Sequence, residues 1–126
     1  AWYDDNSGRK PVESTADFSI DPADLRKKLY KNGNRPHTVK MKSANTWGLY
    51  DMLGNVWEWT SDLYDPRYYS NSPSTDPTGP TKGTERVLRG GAWNSLPANV
   101  RVSYRLTNPP GYRVAAFGFR CVGDLP

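Results

Sequence analysis

The chain has 126 residues and a mass of 14.2 kDa, which suits one domain with a small core. Eleven glycines and eleven prolines cut it into short elements joined by turns, which argues against a helical bundle or a doubly wound sheet, and no run approaches the roughly 20 apolar residues of a membrane-spanning helix. The net charge of +4 is unevenly placed: Arg26, Lys27, Lys28, Lys31, Arg35, Lys40 and Lys42 follow one another without an acid, as do the arginines between Arg86 and Arg120. Such patches could draw nucleic acid or acidic glycans. No nucleic-acid-binding module is recognisable, so the expected state is a solvated basic face with arginines stacked on tyrosines, and a nucleic-acid partner is not expected. The chain opens on Ala1 without the basic-then-apolar pattern of a signal peptide, compatible with a processed or fragmentary start.

In chain order, Asp21-Pro22-Ala23-Asp24 predicts a helix start. Asp21 caps, Pro22 suits the first helical position, and Asp24 can return toward the cap in the role of a capping-box glutamate. Leu25, Leu29 and the stem of Lys28 share a face, and Asn32-Gly33 ends the segment. Val39 and Met41 alternate with Lys40 and Lys42, which predicts a short edge strand with its lysines in water. Trp57 and Trp59, two apart, share a side of an extended chain. From Asp62 to Arg86, Pro66, Pro73, Pro77 and Pro80 predict a loop held by contacts of Tyr64, Tyr68 and Tyr69. Arg86 to Arg89 reads as a strand, and Gly90-Gly91 permits a bulge or a close backbone crossing. Further strands are expected at Val100 to Tyr104 and Ala116 to Val122, with Arg89 to Trp93 and Phe117 to Val122 as central neighbours. The single cysteine, Cys121, permits no internal disulfide and is expected to be a small buried hydrophobe in the last strand.

Three blocks interleave aromatics, glycines and charges in a way that neither a helix nor a simple strand needs. They are Gly48-Leu49-Tyr50-Asp51-Met52-Leu53-Gly54-Asn55-Val56-Trp57-Glu58-Trp59, Arg89-Gly90-Gly91-Ala92-Trp93-Asn94, and Gly118-Phe119-Arg120-Cys121. Together they resemble the C-terminal half of the formylglycine-generating, or sulfatase-modifying, family. The resemblance is weak at Ala1-Trp2-Tyr3 and Asn6-Ser7-Gly8, is specific from Trp47 to Cys121, and is interrupted near residues 12–36 by an atypical insert that holds the predicted helix. It implies an α+β fold of the irregular, loop-rich, C-type-lectin-like kind. It also implies that residues 1–126 are a single domain, the C-terminal part of a larger family domain. Trp57, Trp59 and Trp93 are then expected to be covered by an N-terminal half or a neighbouring subunit.

Copper-dependent members of this family oxidise a substrate cysteine to formylglycine with a cysteine pair placed after Arg-Gly-Gly, because thiolates hold soft Cu(I). The nearest corresponding positions here are Ser95 and Val100, and neither can do that work. Iron-dependent relatives use a histidine set supplied largely by another domain, whereas this chain has only His37. One histidine and one cysteine cannot build either centre alone, so neither copper nor iron is expected in this chain by itself. Ser95 also lacks a Gly-x-Ser-x-Gly setting and a near base. The resemblance further implies a structural calcium at Asp51, Gly54, Val56 and Glu58, where two carboxylates and two carbonyls in a glycine-containing turn would offer hard oxygen ligands. The alternative is that Glu58 pairs with an arginine such as Arg89 while Asp51 caps the turn.

Between Trp93 and Arg113, framework-like residues alternate with changeable ones. This resembles the variable region of retroelement-diversified proteins, which carry exposed binding residues on a rigid lectin-like core. The resemblance implies a ligand face of Trp93, Asn94, Ser95, Leu96, Asn99, Tyr104, Leu106, Asn108 and Tyr112, and an extracellular or cell-surface setting. Tyr104 and Tyr112 offer wide amphipathic contacts at low entropy cost, and the asparagines adapt hydrogen bonds. Alternatively the tyrosines are core and the asparagines make turns. The expected function is a noncatalytic ligand- or protein-binding or structural module. The alternative is the C-terminal part of a formylglycine-generating oxidase, or a related metalloenzyme, completed by another chain.

Overall fold

The computed structural model describes residues 1–12 and 21–123. Its four-stranded mixed sheet forms where aromatic and β-branched residues are densest. Strand β1 (Trp57–Leu63) pairs antiparallel with β2 (Arg86–Arg89) and parallel with β4 (Phe117–Gly118); β2 pairs antiparallel with β3 (Leu106–Asn108), giving the order β3-β2-β1-β4. Glu58 stands opposite Arg89 and Trp59 opposite Leu88, and the register shifts before Leu63 meets Arg86. Val87 and Leu88 are both buried although they point to opposite faces, so both sides of β2 are covered.

Trp57, Leu88, Ala92, Trp93 and Ala116 form the core, with Trp59, Tyr104, Leu106 and Phe117 packed against it. The expectation that the tryptophans need cover from outside fails. Trp57 is 6% exposed and Trp93 3%, and Trp59 meets Phe117 edge-on with centroids 5.6 Å apart. The exposed apolar surface lies elsewhere, at Trp47 and Phe119, which are 82% and 77% exposed. Cys121 is likewise exposed rather than buried, because β4 ends three residues before it.

Helix α1 (Pro22–Asn32) starts and stops where its caps dictate. Asp21 Oδ1 accepts from the Ala23 amide at 2.7 Å, and Gly33 at φ 76° donates its amide to the Leu29 and Tyr30 carbonyls. Asp24 pairs with Lys27 at 3.0 Å instead of returning toward the cap. Leu29 is buried beneath the helix. Residues 13–20 of the insert expected over 12–36 lie outside the described residues. In the expected loop, the short helix α2 (Tyr68–Asn71) carries Tyr68 and Tyr69, and Arg105 stacks over Tyr69 at 4.3 Å and over Tyr64, which precedes the helix, at 5.6 Å.

Three strand expectations need correction. Lys40 has φ 66° and gives its amide to Asp51 Oδ2, which takes residues 39–42 out of any ladder. The stretch Val100 to Tyr104 turns, because Val100 closes a 3-10 turn (Pro97–Asn99) and the Tyr104 amide bonds the Arg101 carbonyl, so the strand is delayed to Leu106. Finally, β2 ends at Arg89 before Gly90 at φ 94° and Gly91 at φ 79°, and β1 separates it from β4.

Candidate functional site

The three sequence blocks converge through backbone hydrogen bonds. Gly54 donates to the Gly90 carbonyl at 2.7 Å, Trp93 to that of Asn55 at 2.8 Å, and Trp57 to that of Ala116 at 2.8 Å. Gly54 has φ 83°, and a Cβ there would lie 2.1 Å from the Trp2 carbonyl oxygen, so only glycine lets the N-terminal segment cross. Asn55 bonds both backbone groups of His37, accepting its amide at 2.8 Å and donating to its carbonyl at 3.1 Å. The His37 ring stacks on Trp2 with centroids 3.8 Å apart, and its Nε2 lies 2.9 Å from the Ser7 carbonyl. The histidine is thus held by framework contacts.

A buried polar chain ties the end of α1 to the centre of the second block. Asn34 Nδ2 donates to the Asp4 carbonyl at 2.6 Å and to Ser7 Oγ at 2.8 Å, and Ser7 Oγ donates to the Trp93 carbonyl at 2.6 Å. These links join positions 27 to 86 residues apart, which local pattern cannot reveal.

The structure divides the nine expected ligand-face residues. Trp93 and Ser95 are buried, and Ser95 Oγ accepts the Ala92 amide at 2.9 Å. Tyr104 packs on Trp57 at 5.8 Å, and Leu106 lies half-buried against the core in β3. Asn108 stands opposite Arg86 within the sheet, while the half-buried Leu96 and Asn99 flank and close the 3-10 turn, whose Pro97 and Ala98 are exposed. Asn94 and Tyr112 face solvent. Together with Trp93 they line a hollow of about 320 Å³, whose other wall is Arg26 and Tyr30 of α1. Tyr30 meets Trp93 edge-on at 6.0 Å, and Tyr112 meets Phe117 at 5.8 Å. Arg26 and Tyr30 were not among the expected site residues; their signal was an apolar ring and an arginine four apart on one helix.

Asp51, Gly54, Val56 and Glu58 line a second hollow of about 300 Å³, and Arg120 stands in it with them. Arg120 Nε donates to Glu58 Oε2 at 2.7 Å and its Nη2 to Oε1 at 2.5 Å and to the Tyr50 carbonyl at 3.0 Å. The bond to Glu58 raises the Arg120 pKa above its ordinary value against the opposing effect of burial. Arg89 does not reach Glu58 and instead donates to the Tyr104 and Val102 carbonyls. Because Arg120 holds both Glu58 oxygens, calcium at these four positions would have to displace the guanidinium. Among the described residues no group of three or more histidine, cysteine, aspartate or glutamate side chains could hold a metal ion, and no helix is long and apolar enough to cross a membrane.

Comparison with known proteins agrees with this scaffold. The model of the sulfatase-modifying factor enzyme 1-like domain matches residues 3–125. The formylglycine-generating enzyme of Streptomyces coelicolor is 45% identical over 89 residues, covering 68% of this chain and 28% of that protein. Treponema denticola variable protein 1 superposes with a TM-score of 0.59 at 37% identity, over 69% of this chain and 31% of that one. PvdO from Pseudomonas aeruginosa does so with a TM-score of 0.60 at 29% identity, over 68% and 33%. The chain therefore spans about a third or less of each. It has one cysteine and so lacks the cysteine pair that the family resemblance implies for the copper-dependent oxidases. On its matched length and its three interlocked blocks, the chain belongs to the family of the sulfatase-modifying factor enzyme 1-like domain.

Proposed function

We propose that this chain is a noncatalytic recognition module on a formylglycine-generating-enzyme scaffold, with its contacts gathered on Asn94, Tyr112 and the wall of α1. The observation that carries this reading is the exchange at one place in the fold. Where a cysteine pair would sit, Ser95 is buried and bonded to the Ala92 amide, while its neighbour Asn94 and the aromatic Tyr112 open onto a hollow. A rigid aromatic and an adaptable amide on a fixed core are the parts from which protein recognition surfaces are built. The likeness to Treponema denticola variable protein 1 supports a diversified-surface relationship, and the aromatic-and-amide surface suits a protein or peptide ligand.

The same reading makes the chain the C-terminal part of a larger family domain. The exposure of Trp47, Leu49 and Phe119 supports this, since it leaves large apolar side chains in water where an N-terminal half or neighbouring subunit would cover them. Calcium enters only as a competitor of Arg120 for Glu58. A second reading, the C-terminal part of an oxidase completed elsewhere, is favoured by the 45% identity to the Streptomyces coelicolor enzyme.

The test is to pan a random peptide library against the folded chain and to measure the best binder on the Asn94→Ala and Tyr112→Ala variants. Both side chains are exposed, so the variants stay folded. A loss of about 2 kcal/mol at Tyr112 is expected. Binders indifferent to both changes would overturn the face. Copper-dependent, oxygen-consuming oxidation of a cysteine peptide once an N-terminal family half is added to the chain would favour the oxidase reading.

A further inference from the structure

The hollow under α1 has a chemistry more specific than a general contact surface. At about 320 Å³ it sits at the small end of ligand sites, the size for one ring and a short attachment. Two aromatic pairs form its walls. Tyr30 is fixed edge-on against Trp93, and Tyr112 against Phe117, yet Tyr30 and Tyr112 remain 63% and 50% exposed. Their rings are therefore preorganised by partners behind them while presenting open faces, which favours a flat apolar group.

The lining contains one charge, Arg26, and no carboxylate. The acids near it on the helix are already engaged: Asp21 caps the first turn and Asp24 pairs with Lys27. Arg26 has no ion-pair partner among the described residues. An unmatched guanidinium at the rim of an aromatic hollow selects an anion of planar, fork-like geometry, and a carboxylate matches it. Asn94 adds a side-chain amide that can both donate to and accept from a peptide group.

We propose that this hollow binds an aromatic group carrying a carboxylate, the ring between Tyr30 and Tyr112 and the carboxylate on Arg26. The inference rests on the recognition reading and narrows it to a ligand class. A free aromatic acid and a peptide ending in an aromatic residue share this chemistry. Asn94 separates them, because only the peptide brings an amide.

The experiment titrates the whole chain with N-acetyl-phenylalanine, its neutral amide and 3-phenylpropionate, followed by calorimetry and tryptophan fluorescence. The acid should bind about tenfold more tightly than its amide, the effect of one accessible charge-assisted hydrogen bond. Arg26→Gln, on an exposed helix face, should remove that preference while leaving the amide's affinity and the melting temperature unchanged. N-acetyl-phenylalanine binding more tightly than 3-phenylpropionate, with the difference lost in Asn94→Ala, marks a peptide terminus; equal binding marks a free acid. Equal affinity for acid and amide, a preference that survives Arg26→Gln, or no binding of any probe would overturn the assignment. The recognition face stands or falls separately, on whether peptides selected without regard to charge respond to Tyr112→Ala.

Discussion

Arg120 links the last block to the first through two bonds to Glu58 and one to the Tyr50 carbonyl. Replacing it by alanine leaves a half-buried carboxylate without its fork. We expect Arg120→Ala to lower stability by about 2 kcal/mol in denaturant unfolding, and Arg120→Lys to recover only part of it, because an ammonium cannot span both oxygens. The guanidinium's folded pKa is raised, so its contribution is fully present below the ordinary arginine value and is lost only as pH rises above the folded one. The wild-type minus Arg120→Ala stability difference should therefore show no loss from arginine deprotonation between pH 7 and pH 10. Calcium is tested at the same residue. If the ion takes Asp51, Gly54, Val56 and Glu58, it must raise the melting temperature of the wild type, and Glu58→Gln must abolish that rise. That Glu58 could pair with an arginine was legible in the sequence only as the alternative to a calcium site. Which arginine was not, since Arg120 lies 62 residues away and Arg89, its partner across the ladder, turns its side chain to other carbonyls.

Helix α1 is an element whose ends were legible and whose use was not. The capping aspartate, the proline and the terminal glycine fix its limits locally, so Asp21 and Gly33 read correctly. That Tyr30 would meet Trp93 depends on the chain from Asn34 through Ser7 to the Trp93 carbonyl, which no periodicity encodes. Asp21→Ala should cost about 1 kcal/mol of helix stability, seen as faster amide hydrogen exchange at Ala23 and Leu25, and it should weaken binding in the hollow before it unfolds the sheet. The strand expected at residues 39–42 failed for a related reason. Alternation of apolar and charged residues says nothing of the positive φ at Lys40, which Asp51 stabilises from 11 residues away. Gly54→Ala would place a methyl group against the Trp2 backbone; the N-terminal segment should detach, with protease cleavage appearing near residues 1–12 while the β1–β2 pair persists.

At the scale of the molecule, the scaffold holds because Trp57 and Trp59 of the first block, Trp93 of the second and Phe117 just before the third meet in one cluster around Leu88, which has no exposed surface. Leu88→Ala should destabilise the chain by about 3 kcal/mol in a single cooperative transition. The irregular α+β architecture was legible through the family resemblance that the blocks carry, and the blocks are joined by bonds from Gly54 to Gly90 and from Trp93 to Asn55. The division of the Trp93–Tyr112 segment into buried framework and exposed face was not, because burial there depends on turns at Pro97 and Arg101 rather than on residue type. The proposed recognition face requires a partner to land on the exposed part of that segment. The direct measurement is an amide chemical-shift map of the chain with a panned peptide bound. Changes clustered at Asn94, Tyr112 and Tyr30 are the predicted result; changes confined to the edge of Trp47 and Phe119, with those three unmoved, would contradict it.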